Sequence, residues 1–315
     1  MSRLGTLSSS PMLREYAQGA AQSAAAPIAD FLAPTVPVST LVGRFKIYSE
    51  KDRFFVPDVR RAIGGRAVQL QFNATDATYN CTPRAIDYPI DNLEALEESA
   101  LEGALQEGAR AIAEVAALAH ELDVVNKAVA GIPGGQQFAM DTTSSSTDCV
   151  QLLDNAILSV IKAAKYGSAM GVGIVFGATA FQKYRNHVST RSRFVVGGGS
   201  AKAGPSIITP GVNDVSTLQI GNPEARVSFM VYDSAGEGLA PSINFVLDSK
   251  IIVFARVPNP TRRDPSFMKT FRLENQYMVP GSYVRDDGRV EVAKFDWSED
   301  IQLTNSVAAQ MANVS

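Results

Sequence analysis

Two histidines and two cysteines are all the imidazole and thiol chemistry in the 315 residues. Cys81 and Cys149 stand far apart and neither belongs to a C-x-x-C pair, which argues against a disulfide or zinc framework and fits a reducing compartment. His120 falls in a long helical run and His187 in KYRNHVSTR, with nothing at metal-ligand spacing from either. No run of about 18 apolar residues occurs, so no membrane span is expected. The Ala/Ser-rich first thirty residues lack a continuous apolar stretch and do not read as a signal peptide. The N-x-T triplets at Asn73 and Asn80 are therefore read as coincidental glycosylation matches. A P-loop is missing, GVGIVFG has no strand before it, and GGGSAKAG lacks the nucleophile-elbow spacing. These absences assign no catalytic, cofactor-binding or metal residue, imply no cofactor, and argue against an enzyme.

What is present is globular in composition, 45% hydrophobic and 19% charged. The net charge of −3 hides a gradient. Met1–Arg66 has nine Lys/Arg against five Asp/Glu, and Ala67–Ala130 has three against eleven. That excludes a generally basic nucleic-acid binder, and VRRAIGGR and RSRFVVGGGSAK are short clusters rather than a stripe. A basic segment beside an acidic one suggests that one part of a chain meets another, on the same or a neighbouring copy.

The segment FLAPTVPVSTLVGRFKIYSEKDRFF, Phe31 to Phe55, is apolar, proline-punctuated and too broken for a helix. GRFKIYSEKDRFF starts in strand-like alternation, and Val68, Leu70 and Phe72 alternate with glutamines after a Gly-Gly break. The two pieces predict a long two-stranded excursion, which is barely stable unless it lies on something. A helix is predicted from Asp91, as N-cap with Glu94 in a capping box, to a stop at Gly131 and Pro133. Unbroken, it would be a rod of about 60 Å. Leu105, Ile112 and Val115 are expected on its core face, Glu94, Glu98 and Glu102 on its polar face, and a kink or close contact at Gly103 or Gly108. Beyond a polar break at GGQQFAMDTTSSSTD, CVQLLDNAILSVIKAAKYG reads as an amphipathic helix, GVGIVFG as a buried strand and ATAFQKYRNHVSTRSRF as a helix. A glycine-rich loop and short strands complete an α+β order.

Several stretches carry a resemblance: APTVPV followed by GRFKIYSEKDRF, the Gly-centred hairpin, YNCTPRAIDYPIDNLE leading into the acidic helix, and LLDNAILSVIKAAKYG before GIVFGATAFQKYRNHVSTRSRF. Their succession resembles the major capsid proteins of tailed bacteriophages, of the Hong Kong 97-like (Johnson) fold, over nearly the whole chain. The resemblance implies an N-terminal arm at 1–44, an extended loop at 45–88, a peripheral domain with a spine helix at 89–147, an axial domain at 148–270 and returning peripheral strands at 271–315. It implies a self-assembling shell of hexamers and pentamers, located in the virion after assembly in the host bacterial cytoplasm. Packaged double-stranded DNA would be held by weak non-specific contact, with no membrane. A separate scaffolding protein, a portal and an optional decoration protein are the implied partners. Candidate inter-subunit residues are Phe31, Phe45, Tyr48, Arg53, Arg60, Arg61, Arg66, Val68, Leu70 and Phe72, facing an acidic spine of Glu94, Glu97, Glu98 and Glu102. An encapsulin-like compartment and an unrecognised α/β enzyme are the alternatives.

Overall fold

The computed structural model describes residues 28–48, 58–61, 63–66, 69, 74–91, 101–164, 171–196, 206–207, 212–236, 238–257, 259–274, 277, 279–286 and 288–315. The elements run α1 (Ala29–Leu32), β1 (Thr35–Val38), β2 (Val42–Tyr48), β3 (Ala74–Asn80), β4 (Thr82–Asp91), α2 (Leu101–Gly131), β5 (Gln137–Met140) and α3 (Cys149–Ala164). Then come β6 (Gly171–Gly177), α4 (Ala178–Asn186), α5 (Val188–Arg191), β7 (Val195–Val196), β8 (Ser206–Ile207), α6 (Val212–Leu218) and β9 (Glu224–Ser228). The chain finishes with β10 (Val231–Asp233), β11 (Ile243–Phe245), β12 (Lys250–Arg256), β13 (Met268–Leu273), β14 (Val279–Val284), β15 (Val290–Leu303) and β16 (Ala309–Val314).

Two five-stranded sheets organise this α+β fold. In the first, β15 is the hub. It pairs antiparallel with β4 through Val290–Glu299, with β14 through Glu291–Asp296, and with β13 through Glu299–Leu303. Because β4 and β14 bond the same stretch of β15, they occupy its opposite edges. β1 adds in parallel to β13. The second sheet has the order β5-β16-β12-β6-β9.

Side-chain parity explains how α2 seats on the first sheet. Arg84, Ile86, Tyr88 and Ile90 are the more covered positions of β4, and Phe295 and Trp297 are large buried side chains of β15. Ala109, Ile112, Ala113 and Ala116 of α2 pack with Phe295 and Trp297, against Ile86 and Tyr88. A Cβ on Gly108 would lie 2.7 Å from the Tyr88 ring, so the close contact expected at this glycine is its role. The C-terminal half of α2 gives Val124, Val125 and Ala128 to a second core with Ile28, Phe31, Leu32, Phe254 and Phe267. α3 covers the second sheet with Leu153, Ile157 and Val160 against Ile174, Phe176, Ile251 and Val253.

Several expectations change. Asp91 is the last residue of β4, opposite Val290, and the turn it is expected to cap, with Glu94, lies outside the described residues. Val115 is 56% exposed while Ile112 is buried, so the core face is rotated from the expected one; the Leu105 side chain lies outside the described residues. β4 occupies Thr82–Asp91, part of the expected loop, and the C-terminal stretch divides between the sheets, β15 in the first and β16 in the second. The polar break contains β5, and the helix at 178–194 is interrupted at His187.

Candidate functional site

The candidate site is the exposed two-stranded excursion and the seat that holds it. β2 and β3 pair from Val42↔Asn80 to Tyr48↔Ala74, which is the base of the expected hairpin. Gly43 faces Tyr79, and a Cβ there would come within 2.3 Å of the Tyr79 hydroxyl. The bare backbone lets the ring lie flat across the base. Tyr79 stacks on Phe271 at 4.7 Å between centroids, and Phe45 meets the same Phe271 ring at 5.3 Å. Val36, Val38 and Cys81 close this cluster. Burying an aromatic or large aliphatic side chain contributes about 1.5–3 kcal/mol, so the base is firmly anchored.

The side chains turn outward as the hairpin rises. Ile47 is 36% exposed two residues beyond buried Phe45. Farther out, the Asp58 carboxylate accepts from the Arg60 N–H at 3.0 Å and Gly64 turns the chain at φ +83°. Val59 and Ile63 stand in solvent, as do Arg60, Arg61 and Arg66. Arg53, Val68, Leu70 and Phe72 lie outside the described residues, as do Glu94, Glu97 and Glu98 and the side chains of Tyr48 and Glu102.

Phe31 and Phe45, expected to face a neighbour, are instead buried in the chain's own core. Phe31 meets Phe254 edge-on at 5.3 Å under the guanidinium groups of Arg226 and Arg256, each 4.5 Å from its ring. β1 is likewise built into the first sheet by pairing with β13. The physical reason is proximity: the apolar arm finds the end of α2 and the β12–β13 core of its own subunit.

Beneath this seat lies an ionic cluster that the sequence reading missed. Glu299 is 1% exposed and accepts from His120 Nδ1 at 3.2 Å and from Arg272 at 2.9 Å, with Arg84 at 3.5 Å. Burial alone would raise its pKa, but His120 and Arg272 outweigh that and hold it at about 2. Arg84 also reaches Asp123 at 2.7 Å, joining β4 to α2. The signal was legible: Glu299 shares the parity of Phe295, Trp297 and Ile301, a carboxylate on an apolar face. Glu121 sits likewise, four residues after Ala117 and three before Val124. It is fully buried, and its Oε2 accepts from the Ile28 N–H at 3.4 Å. Burial raises its pKa against those backbone hydrogen bonds. Cys81, beside Asp300 and Glu299, has its thiol pushed up to about 11, chiefly by burial.

The histidines have structural surroundings. His187 accepts from the Ser189 N–H at 3.2 Å as the cap of α5, and its Nε2 lies 3.0 Å from the Ser144 carbonyl. Its contact with the Ser189 hydroxyl thus belongs to a helix cap, and the ring's other nitrogen faces a backbone carbonyl. Among the described residues no cluster of three metal-ligating side chains occurs, and no helix is long and apolar enough to cross a membrane.

No family model matches the chain, and no curated protein does. Solved structures do. A phage-related protein from Bordetella bronchiseptica aligns over 96% of both chains with a TM-score of 0.69 at 16% identity. The mature capsid of bacteriophage PhiM1 aligns over 91% of this chain and 86% of its own, with a TM-score of 0.54 at 11% identity. The chain has the Hong Kong 97-like fold of tailed-phage major capsid proteins. The SrpI encapsulin complex from Synechococcus elongatus aligns over the same two shares, also with a TM-score of 0.54, at 12% identity.

Proposed function

We propose that this chain is the non-enzymatic major capsid subunit of a tailed bacteriophage, assembling as hexamers and pentamers into an icosahedral head around packaged double-stranded DNA. The observation that carries it is coverage. The likeness runs through 91% of the chain for the PhiM1 capsid and 96% for the Bordetella phage-related protein, so little sequence is left for another activity. A solvent-exposed loop on a rigid base fits a role met only when copies come together. A separate scaffolding protein, a portal and an optional decoration protein complete the reading, with assembly in the bacterial cytoplasm and final residence in the virion. The net charge of −3 suits a wall that confines DNA with weak, salt-sensitive contact.

The encapsulin reading is favoured by one observation: the encapsulin and PhiM1 capsid align equally well. Electron microscopy of the expressed chain, followed by nuclease-protection analysis of particles from its natural source, separates the readings. Closed shells protecting double-stranded DNA are expected. Shells holding only protein favour the compartment, and small soluble oligomers under all conditions remove both.

The loop tip supports a finer proposal. Arg60, Arg61 and Arg66 are held in solvent, and the chain's acidic excess lies in the segment that includes Glu94, Glu97, Glu98 and Glu102. The tip of one copy meets this acidic surface on the next. Each exposed pair is worth only about 0–1 kcal/mol, so the effect is on register and encounter rather than on subunit stability. Arg60→Glu with Arg61→Glu should slow assembly while leaving subunit melting unchanged, and Glu97→Arg with Glu98→Arg should rescue it. Unaltered assembly kinetics in the arginine reversal remove the charge argument.

A further inference from the structure

A second exposed surface lies away from the loop, on the hairpin β10–β11. Its register pairs Val231 with Phe245 and Asp233 with Ile243, so these four residues share one face, while Tyr232 and Asn244 share the other. Tyr232 packs against the core formed by α1, α2 and β12. The opposite face is open: Val231 is 44% exposed, Ile243 62% and Phe245 41%, and Phe229 just before β10 is 66% exposed. This inverts the usual polar-out order of a strand pair on a protein surface.

The polar groups of this hairpin are spent on holding its own turn. The Asp233 carboxylate accepts from the Ala235 N–H at 2.9 Å and the Ser242 N–H at 2.8 Å. Asn244 donates to the Ser234 hydroxyl at 2.7 Å, and the Ser234 N–H donates to the Ser242 carbonyl at 2.9 Å. The apolar face is therefore presented on a preorganised support, which lowers the ordering cost of binding.

At its base the hairpin forms a groove against α4. A cavity of about 330 Å³ is lined by Ala178, Thr179, Phe181, Gln182, Arg185, Phe229 and Phe245. Arg185 lies 5.9 Å from the Phe181 ring centroid, and its buried Nε has no hydrogen-bond partner among the described residues. An occupant that brings apolar side chains and one acceptor would complete the groove.

We propose that the outer face of β10–β11, with the α4 groove, is a contact surface that receives a second copy of this chain. The inference rests on the shell reading and adds to it a surface distinct from the loop. Area decides the occupant. The four apolar side chains expose roughly 400 Å², counting about 200 Å² for a fully exposed aromatic. A standard interface takes about 800 Å² from each partner, so this patch is about half of what a free-standing pair requires. Half suffices where each copy in a closed ring is held by neighbours on both sides. Charge agrees: Arg185 in the groove and Asp233 on the hairpin face are mixed in sign, which suits neither a nucleic-acid backbone nor an anionic lipid surface. An apolar patch of this size matches the largest that a typical monomer carries, and such patches are often functional.

The test uses the full chain. Phe229→Ser with Ile243→Ser, and separately the milder Ile243→Gln, are followed by circular dichroism, sedimentation velocity and electron microscopy. In wild-type protein, amide exchange across Phe229–Phe245 is compared between free subunits and assembled particles. We expect native melting in Ile243→Gln, a concentration threshold for assembly raised about tenfold in the double variant, and slowed exchange of the hairpin in particles. The inference is overturned if the double variant assembles at the wild-type threshold. It is equally overturned if the hairpin exchanges as fast in particles as in free subunits, or is protected only when another protein is added. In each of those cases the wild type still forms shells, so the shell reading stands. Wild-type protein that never assembles refutes both.

Discussion

In the β2–β3 hairpin, Phe45 and Tyr79 turn inward onto Phe271. In the β10–β11 hairpin Tyr232, with Met230 just before it, turns in, and Phe229, Val231, Ile243 and Phe245 turn out. Both are short antiparallel ribbons rich in aromatic and β-branched residues, and a lone ribbon of either kind is marginal in water. The first solves its problem inside the subunit, with Gly43 making room for Tyr79. The second leaves its apolar face for a partner to cover. Aromatic content does not distinguish them; the parity with which each ribbon meets the body does.

The largest effect that sharpens this contrast is removal of the ring shared by the first hairpin. Phe271 is fully buried between Phe45 and Tyr79. Phe271→Ala should cost about 3–5 kcal/mol in urea unfolding, with faster proteolysis at Val42–Tyr48. A loss below about 1 kcal/mol would show that the seat is held by β-pairing rather than by the stack.

Acid should separate the two hairpins next. Glu299 lies under the first, in register with Thr82 at the end of β3–β4. Its folded pKa of about 2 is below the ordinary carboxylate value of 4.5, because His120 and Arg272 override burial. A depressed folded pKa gives stability that is full above the unfolded value and lost as the pH falls through the folded one. The window is therefore about pH 4.5 down to 2, and the loss is roughly 3 kcal/mol. Glu299→Gln should flatten that limb of the stability–pH curve. Over the same range, Glu299→Gln should remove the acid quickening of corrected amide exchange at β2–β3 and leave the β10–β11 turn, where the Asp233 carboxylate itself is protonated, responding as in the wild type. An unchanged acid limb in Glu299→Gln would assign the loss to other carboxylates.

Much of this architecture is written locally. The α3 helix, the buried β6 strand, the hairpin base and the stop of α2 at Gly131 follow from periodicity and glycine. The rest depends on partners far away in sequence. Ile86, Tyr88 and Ile90 alternate as a strand, yet beside the acidic helix they read as its approach, and only pairing with β15 decides. β5 and β16 are short and find each other across the chain. Phe31 and Phe45 are legible as apolar residues needing cover, but no local rule says whether a neighbour or the same subunit supplies it. Val115 was misplaced because the small side chains Ala109, Ala113 and Ala116 carry the contact and narrow the buried stripe.

Within the second hairpin, opposite faces should respond differently. Tyr232→Ala removes a ring packed on the central core and should cost roughly 1–3 kcal/mol, whereas Phe229→Ala, already mostly in solvent, should stay within about 0.5 kcal/mol. Thermal melts of the two variants read this directly. Equal destabilisation would mean that Phe229 is a structural part of the subunit and would break the contrast between the ribbons.

The smallest expected effect on the subunit comes from Asp233, and it isolates rigidity from contact. Its carboxylate holds the N–H groups of Ala235 and Ser242, and those bonds lower its pKa, so it remains ionised throughout the neutral range. The side chain is exposed and touches no core cluster, so Asp233→Ala should leave the melting curve of the subunit in place. It should speed amide exchange at Ala235 and Ser242, the two groups that lose their acceptor. If the apolar face works because it is presented ready-made, a loosened turn must be ordered again on docking, and the assembly threshold should rise by a few-fold. That rise should be smaller than for the Phe229/Ile243 double change, which removes the contact itself. Faster exchange with an unmoved threshold would show that the strands alone hold the face in position. An unmoved exchange rate would show that the Ser234–Ser242 hydrogen bonds already suffice to close the turn.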